Sequence, residues 1–477
     1  MKTLIMKFGG SALANPPRMK RAVSISLRES TRWDRLLIVV AALEGVTDQL
    51  LNVARLAAER DARGYRRIIH DIRERHIQGI EEMFVDASVR ESITAQMDRL
   101  LFNLLTDCQS SEQRPSALPR WSDRIVAVGE KMVTMLFAAL LRQEELAAVA
   151  LDATRFLITD ATFGNAQPNW QESAASIEAQ VLPLFTDGYI PVVTGYIGCT
   201  REGEITTLGR GGSDFTASIL GVCLQADEVW LWSSVAGLMS ADPEWVSTAR
   251  VIDELDYGDA AELAYYGARV LHLKMIAPLQ SAGIPLRVKS IHQPAAAGTY
   301  IHHVSEAGNS VLGVTALPGI AIRPIKALQR LQVRQERDDS QMETLLLLNE
   351  LDRLSAISAG NLELMSVSQS SSGSLWCVCA TARATAEDMN RLGEALCQPK
   401  EGGRDARWEW QAITLVTVVG NTALQDAPGD AWQRQLADLQ VLGHTRGAHP
   451  TAMSFILAAS DGAAAVHRLH ESLIQQT

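Results

Sequence analysis

No stretch of about 18 uncharged apolar residues occurs in these 477 residues, so no segment reads as a membrane-spanning helix. The run from Met1 to Ile5, followed by Lys7, is too short for a signal peptide, and a cytoplasmic location is the expectation. A surplus of positive charge is also missing. Lys and Arg number 44 against 55 Asp and Glu, for a formal net charge of −11. Nucleic acids and anionic membranes need clustered cations that displace counterions, so neither is expected as a partner. Small molecules and other copies of the chain are expected instead. Paired cysteines are lacking as well. Cys108, Cys199, Cys223, Cys377, Cys379 and Cys397 form no C-x-x-C and no metal-ligand spacing, so they read as buried small residues and no protein-held metal is expected. Cys377 and Cys379 would share one face of a strand.

What is present is the balance of a folded protein, 47% hydrophobic and 21% charged. The length exceeds what one core usually supports, so two or three domains are expected. Leu4 to Phe8 is a short apolar strand that runs into Gly9-Gly10-Ser11 and then a helical pattern. Leu36 to Ala42 repeats the form, delivering the chain into a turn at Glu44-Gly45 and a helix near Thr47. Two strand-turn-helix units in succession predict an α/β, doubly wound, mostly parallel sheet. From about Asn52 to Leu105, with little Gly or Pro, the pattern is a helical excursion. Strands resume at Ile190 to Thr194 and Glu228 to Trp232, with a helix from about Asp214 to Leu224 between them. Near Ser305 the character changes, which places a boundary between residues 1–305 and 306–477. Beyond it, two segments share a strand, polar cluster, strand form: Leu364 to Val367 with Leu375 to Ala380, and Val441 to Leu442 with Ala452 to Leu457. They hint at an internal repeat.

Three groupings could carry chemistry. In Lys7-Phe8-Gly9-Gly10-Ser11, two glycines after a buried strand let backbone N–H groups approach a phosphate, and Lys7 adds a compact charge. A Gly-Gly pair is equally the ordinary make-up of a tight turn, and the lysine precedes the glycines, unlike a Walker A loop. In Leu208 to Asp214, Ser213 or Asp214 could cap a helix, while Arg210, set among glycines with little packing to do, could hold a carboxylate bidentately. In Gly129-Glu130-Lys131-Met132, Glu130 stands near the start of an apolar helical run. It could receive an amino group or merely complement the helix dipole.

Taken in order, these segments resemble the aspartokinase family of amino-acid kinases. Its K-F-G-G-[ST] is similar to Lys7 to Ser11, its G-E-x-[ML] to Gly129 to Met132, and its G-R-G-G-S-D to Gly209 to Asp214. Gly195 to Gly198 resembles G-F-x-G, Ala241 to Pro243 resembles T-[AT]-D-P, and Gly267 to His272 resembles G-A-K-V-L-H. The resemblance implies an amino-acid kinase catalytic domain over residues 1–305. In it Lys7 stabilises the phosphoryl group, with Asp214 the second catalytic residue. Gly9, Gly10, Ser11, Ser233, Ser234 and Arg269 would line the nucleotide side. Thr47, Glu130, Arg210 and Ser213 would bind the amino acid, Arg210 its α-carboxylate and Glu130 its α-ammonium. The implied reaction is transfer of the γ-phosphate of ATP, with Mg²⁺, to the β-carboxylate of L-aspartate, at the head of lysine, threonine and methionine biosynthesis.

Residues 306–477 resemble the family's paired ACT domains, two α+β modules. Val367 to Ser372 is similar to I-S-Q-[AG]-S-S, while the matching stretch of the second copy, His444 to Pro450, has lost most of that pattern. An amino-acid effector and a homo-oligomer are therefore implied. The chain departs from the family where W-[TS]-D-V-x-G-[VI]-Y-[TS]-x-D-P-R reads Trp232 to Glu244: Ser234, Met239 and Glu244 replace an acid, a tyrosine and an arginine. Arg269 replaces a lysine, and Ala41 stands where the strand usually ends in serine. Two alternatives stay open: a weakened or inactive paralogue that binds an amino acid as a regulatory subunit, and a kinase for another carboxylate-bearing amino acid.

Overall fold

The computed structural model describes residues 1–113, 118–267, 270–304, 311–324, 362–370, 373–380, 386–397, 408–420, 435–446 and 451–474. The chain divides into two compact units. The first comprises Met1–Leu238, Asp253–Tyr257 and Val270–His303, and the second Met239–Ile252, Gly258–Arg269 and Val304–Thr477. The boundary expected at 305/306 lies outside the described residues.

The strands of the first unit are β1 (Thr3–Phe8), β2 (Arg35–Val40), β3 (Ala148–Leu151), β4 (Ile190–Thr194), β5 (Ile197–Cys199), β6 (Ile205–Thr207), β7 (Glu228–Ser233), β8 (Glu254–Leu255), β9 (Leu286–Ser290) and β10 (Thr299–Ile301). Eight of them make one sheet in the order β3-β4-β2-β1-β7-β9-β10-β8, with β5 and β6 as a separate antiparallel pair. Every neighbouring pair from β3 across to β9 is parallel, β10 is antiparallel to β9, and the edge strand β8 runs parallel to β10. β1 lies at the centre and is buried along its whole length, which is why Leu4 to Phe8 reads as an apolar run interrupted only by Lys7. The helices are α1 (Pro16–Ser30), α2 (Val46–Ala58), α3 (Ala62–Met83), α4 (Ala87–Gln113), α5 (Leu118–Gln143), α6 (Trp170–Thr186) and α7 (Gly212–Cys223). They are followed by α8 (Tyr257–Tyr265) and α9 (Leu273–Ala282). The expected doubly wound parallel sheet is observed, and the helical excursion is α2 to α4. Their buried Leu50, Ile72 and Leu104 join Leu4, Phe8 and Val40 of the sheet in one core with Phe137 of α5.

The second unit holds β11 (Val311–Pro324), β12 (Leu362–Ser370), β13 (Gly373–Ala380), β14 (Trp408–Gly420), β15 (Val441–Arg446) and β16 (Ala452–Ala458), in the order β12-β13-β11-β14-β16-β15. All pairings are antiparallel. The two segments suspected of repeating are two hairpins, β12/β13 and β15/β16. Each is followed by a helix, α10 (Ala386–Cys397) and α11 (Gly462–Leu473). Part of each polar cluster, Ser371 and Ser372 in one and Gly447 to Pro450 in the other, lies outside the described residues.

Candidate active site

Ligands of open α/β sheets bind beyond the carboxyl ends of the parallel strands, and the ends of β1, β2 and β7 carry predicted residues. β1 ends in Lys7 and Phe8 and passes into a 3-10 turn, Gly10–Leu13. Lys7 is 7% exposed, and its ammonium forms an ion pair with Asp214 in the first turn of α7. A side chain on Gly9 would put its Cβ 3.3 Å from Lys7 Nζ, and one on Gly10 would stand 2.9 Å from the carbonyl oxygen of Ala42. Gly10 is thus required by space, since it lets the turn after β1 lie against the turn after β2, while Gly9 leaves room at the lysine head. The Ser11 carbonyl accepts a bond from Arg18 at 2.7 Å.

β2 stops at Val40, two residues earlier than the sequence suggests, which frees Ala41 and Ala42 for that contact. The turn ends at Gly45, whose φ of 81° is left-handed, and α2 begins at Val46 with Thr47 in its first turn. The Ala42 amide donates to Glu130 Oε1 at 3.3 Å. Glu130 does not stand near a helix start: α5 begins at Leu118, so the helix-dipole alternative falls away. The carboxyl group is 2% exposed, and burial pushes its pKa up to about 8 against the pull of the Ala42 amide. Its Oε2 has no hydrogen-bond partner among the described residues.

The glycine-rich loop enters α7 through Gly209 and Gly211, both left-handed at φ 74° and 68°. Gly211 is itself the residue before the helix, and neither Ser213 nor Asp214 caps it as expected. Asp214 turns inward to Lys7 instead. Ser213 packs where Gly195 lacks a side chain: a Cβ there would fall 2.7 Å from the Ser213 Cβ. Arg210 is exposed at the loop tip. On the other flank Ser233 closes β7 opposite Ser290 of β9, and Ser234 follows half-buried. Met239 and Glu244 belong to the second unit, where the Glu244 amide donates to Asp242 Oδ1 at 2.9 Å. Arg269 lies outside the described residues.

Two groups went unnoticed in the sequence. Asp123, 3% exposed, accepts from the amides of Thr207 and Gly164 at 2.8 and 2.9 Å and from the Thr207 hydroxyl at 2.8 Å, fixing the strand that leads into the glycine loop. It lies seven residues before Glu130, on the same face of α5, a spacing visible in the sequence. His272 precedes α9 and fills the space beside Gly211, where a Cβ would lie 2.2 Å from the His272 Cγ.

Residues 2–290 match the amino acid kinase family, and the chain belongs to that family. Within it the chain is similar to aspartokinases. It is 33% identical over 303 residues to lysine-sensitive aspartokinase 3 of Escherichia coli, covering 64% of this chain and 65% of that protein. It is 34% identical over 315 residues to the chloroplastic aspartokinase 2 of Arabidopsis thaliana, covering 65% and 56%. The match thus spans less than two thirds of the length of these relatives. In three dimensions, E. coli aspartokinase III in complex with aspartate and ADP superposes with a TM-score of 0.76 at 25% identity, over 99% of this chain and 100% of that one.

Proposed function

We propose that this protein is an ATP-dependent aspartate kinase. An oxygen of the L-aspartate β-carboxylate attacks the γ-phosphorus, the bond from that phosphorus to the β,γ-bridging oxygen breaks, and aspartyl phosphate and ADP leave. The reading rests above all on one observation: buried Lys7, ion-paired with the half-buried Asp214, and the buried carboxyl group of Glu130 meet the glycine-containing turns at the carboxyl ends of β1 and β2.

In this reading Lys7 holds negative charge on the transferring phosphoryl oxygens, and Asp214 fixes the lysine's direction. Gly9, Gly10 and Ser11 line the phosphate path, with Ser233, Ser234 and Arg269 on the nucleotide side. Arg210 clamps the α-carboxylate. Glu130 takes the α-ammonium on Oε2, which has no hydrogen-bond partner among the described residues, with Thr47 and Ser213 closing the amino-acid site. Among the described residues no group of three His, Cys, Asp or Glu could hold a metal ion. Mg²⁺ would come with the triphosphate and offset its negative charge.

The second unit is read as the paired ACT-like modules, with an amino-acid effector and self-association. E. coli aspartokinase III in complex with lysine and aspartate superposes on this chain with a TM-score of 0.79 at 25% identity, which supports the reading. No helix of the described residues is long and apolar enough to cross a membrane. A cytoplasmic enzyme of lysine, threonine and methionine biosynthesis fits this reading.

Hydroxamate trapping of aspartyl phosphate with ATP and L-aspartate tests the proposal. The native chain gives product, and Lys7→Ala lowers the rate about 100-fold or more, the usual scale for losing a group that stabilises transition-state charge. No product with any nucleoside triphosphate, together with intact aspartate binding, would refute catalysis and leave the regulatory-subunit reading, which the replacements at Ser234 and Glu244 favour.

A further inference from the structure

Beside the turns that follow β1 and β2, the first unit contains a partly open cavity of about 200 Å³ bordered by α1, α3 and α5. Most of its wall is apolar, with Leu13, Leu43, Met83 and Leu136 among the lining side chains. One buried polar group interrupts it. His76 of α3 lines the cavity and is 1% exposed. Its Nδ1 lies 2.7 Å from the Ile72 carbonyl oxygen, which can only accept, so Nδ1 carries the proton and Nε2 offers a lone pair. Nε2 has no hydrogen-bond partner among the described residues. Burial pushes the imidazole pKa down to about 4, so it remains a neutral acceptor at physiological pH.

An unmade hydrogen bond at a buried acceptor costs about 1–3 kcal/mol, and a ligand that supplies a donor recovers it. The size is also informative, because an apolar cavity of about 150 Å³ accepts a benzene-sized molecule. We infer that the cavity is a binding site for a small, single-ring or similarly sized apolar molecule bearing one hydroxyl or N–H donor, which bonds His76 Nε2.

The wall joins the cavity to the catalytic loops. Leu13 ends the 3-10 turn that follows β1, and Leu43 stands in the turn after β2. Arg75, beside His76 on α3, donates to the carbonyls of Ala14 at 3.0 Å and Glu44 at 2.7 Å, tying the helix to both turns. An occupant therefore presses on the segments that carry Gly10 and Thr47. In the proposed kinase this makes the cavity an effector site; that step rests on the kinase reading, whereas binding does not.

Gly79 supplies the control. It lines the cavity from α3, and a Cβ there would meet only the Met83 methyl carbon, at an ordinary 3.5 Å. Gly79→Leu adds a side chain at the cavity wall and removes a helix-interior glycine, so it is expected to fill the site, with the melting temperature checking that the fold is kept. The experiment is isothermal titration of the full chain with phenol and, separately, with toluene, which has the same ring and no donor. Phenol is expected to saturate one site per chain at least tenfold more tightly than toluene. Gly79→Leu abolishes both, and His76→Phe removes the preference for phenol. Non-saturating uptake, equal affinity for the two probes, or undiminished phenol binding in Gly79→Leu would overturn the site. The same titrations read by aspartyl phosphate formation test the coupling: a phenol response in the native chain that Gly79→Leu lacks supports it, and saturation without any change in rate or KM overturns it.

Discussion

Glu130→Gln separates electrostatics from shape at the proposed amino-acid site. The carboxyl group is buried, its Oε1 accepts the Ala42 amide at 3.3 Å, and burial raises its pKa from 4.5 to about 8. In the ligand-free protein the folded state holds this proton while the unfolded chain releases it. Stability therefore falls as pH rises from the unfolded value to the folded one, with a ceiling of about 5 kcal/mol at 1.36 kcal/mol per unit. Glutamine keeps the oxygen facing Ala42 and does not titrate, so the variant melts higher than the native chain at pH 8 and alike near pH 4.5. Aspartate reverses the sign, because its ammonium favours the ionised carboxylate. Binding must then release about one proton well below pH 8, where affinity weakens about tenfold per unit, and the loss between pH 8 and pH 6 is about 50-fold. Calorimetry in buffers of different ionisation enthalpy measures that proton directly. In Glu130→Gln affinity drops by about 2–5 kcal/mol and the pH dependence vanishes. A native affinity that is flat from pH 6 to 8, or a glutamine variant that binds aspartate normally, would refute the assignment of the ammonium to Glu130.

Arg210→Ala is expected to weaken aspartate by about 2–5 kcal/mol, with Arg210→Lys recovering only part, since a lysine cannot grip a carboxylate bidentately; steady-state KM for aspartate checks both. Gly10→Ala places a methyl 2.9 Å from the Ala42 carbonyl oxygen, and the two turns must part to admit it. Activity should fall well beyond what the accompanying stability loss of about 1–3 kcal/mol in chemical denaturation explains. Asp123→Ala strips partners from the amides of Gly164 and Thr207, costing about 1–3 kcal/mol or more of stability and raising KM for aspartate through the misplaced glycine loop.

The first unit was legible because its strands are buried on both faces and its turns must be glycine. Ile190 to Thr194 is β4 residue for residue, and Leu4 to Phe8 misses only Thr3. The helix after the glycine loop was placed within two residues. The pattern from Leu118 to Val128 mixes arginines with apolar residues and reads poorly as helix, so the sequence puts Glu130 at a helix entry although it lies well inside α5. The interleaving of Met239–Ile252 and Gly258–Arg269 into the second unit was invisible for a different reason. The bonds that hold the first of these segments are long-range: the Val314 amide donates to the Ser240 carbonyl at 2.8 Å, and Ser240 Oγ lies 2.9 Å from His470 Nε2. No local periodicity encodes a partner 230 residues away.

The same distinction governs the site. Lys7 and Asp214 were found singly, each by its glycine-rich setting, but nothing in the chain announced that they form a pair across 207 residues; the parallel register of β1 against β7 and the inward turn of Asp214 make it. The pairing changes the chemistry assigned to each. A lone lysine at a strand end is a mobile charge, whereas one buried against a carboxylate is held in one direction before substrate arrives, and electrostatic catalysis depends on such prior orientation. Asp214 would then act on the phosphoryl group chiefly through Lys7. Its replacement by asparagine should lower the rate while leaving KM for aspartate nearly unchanged, a split that direct contact with the amino acid would not give.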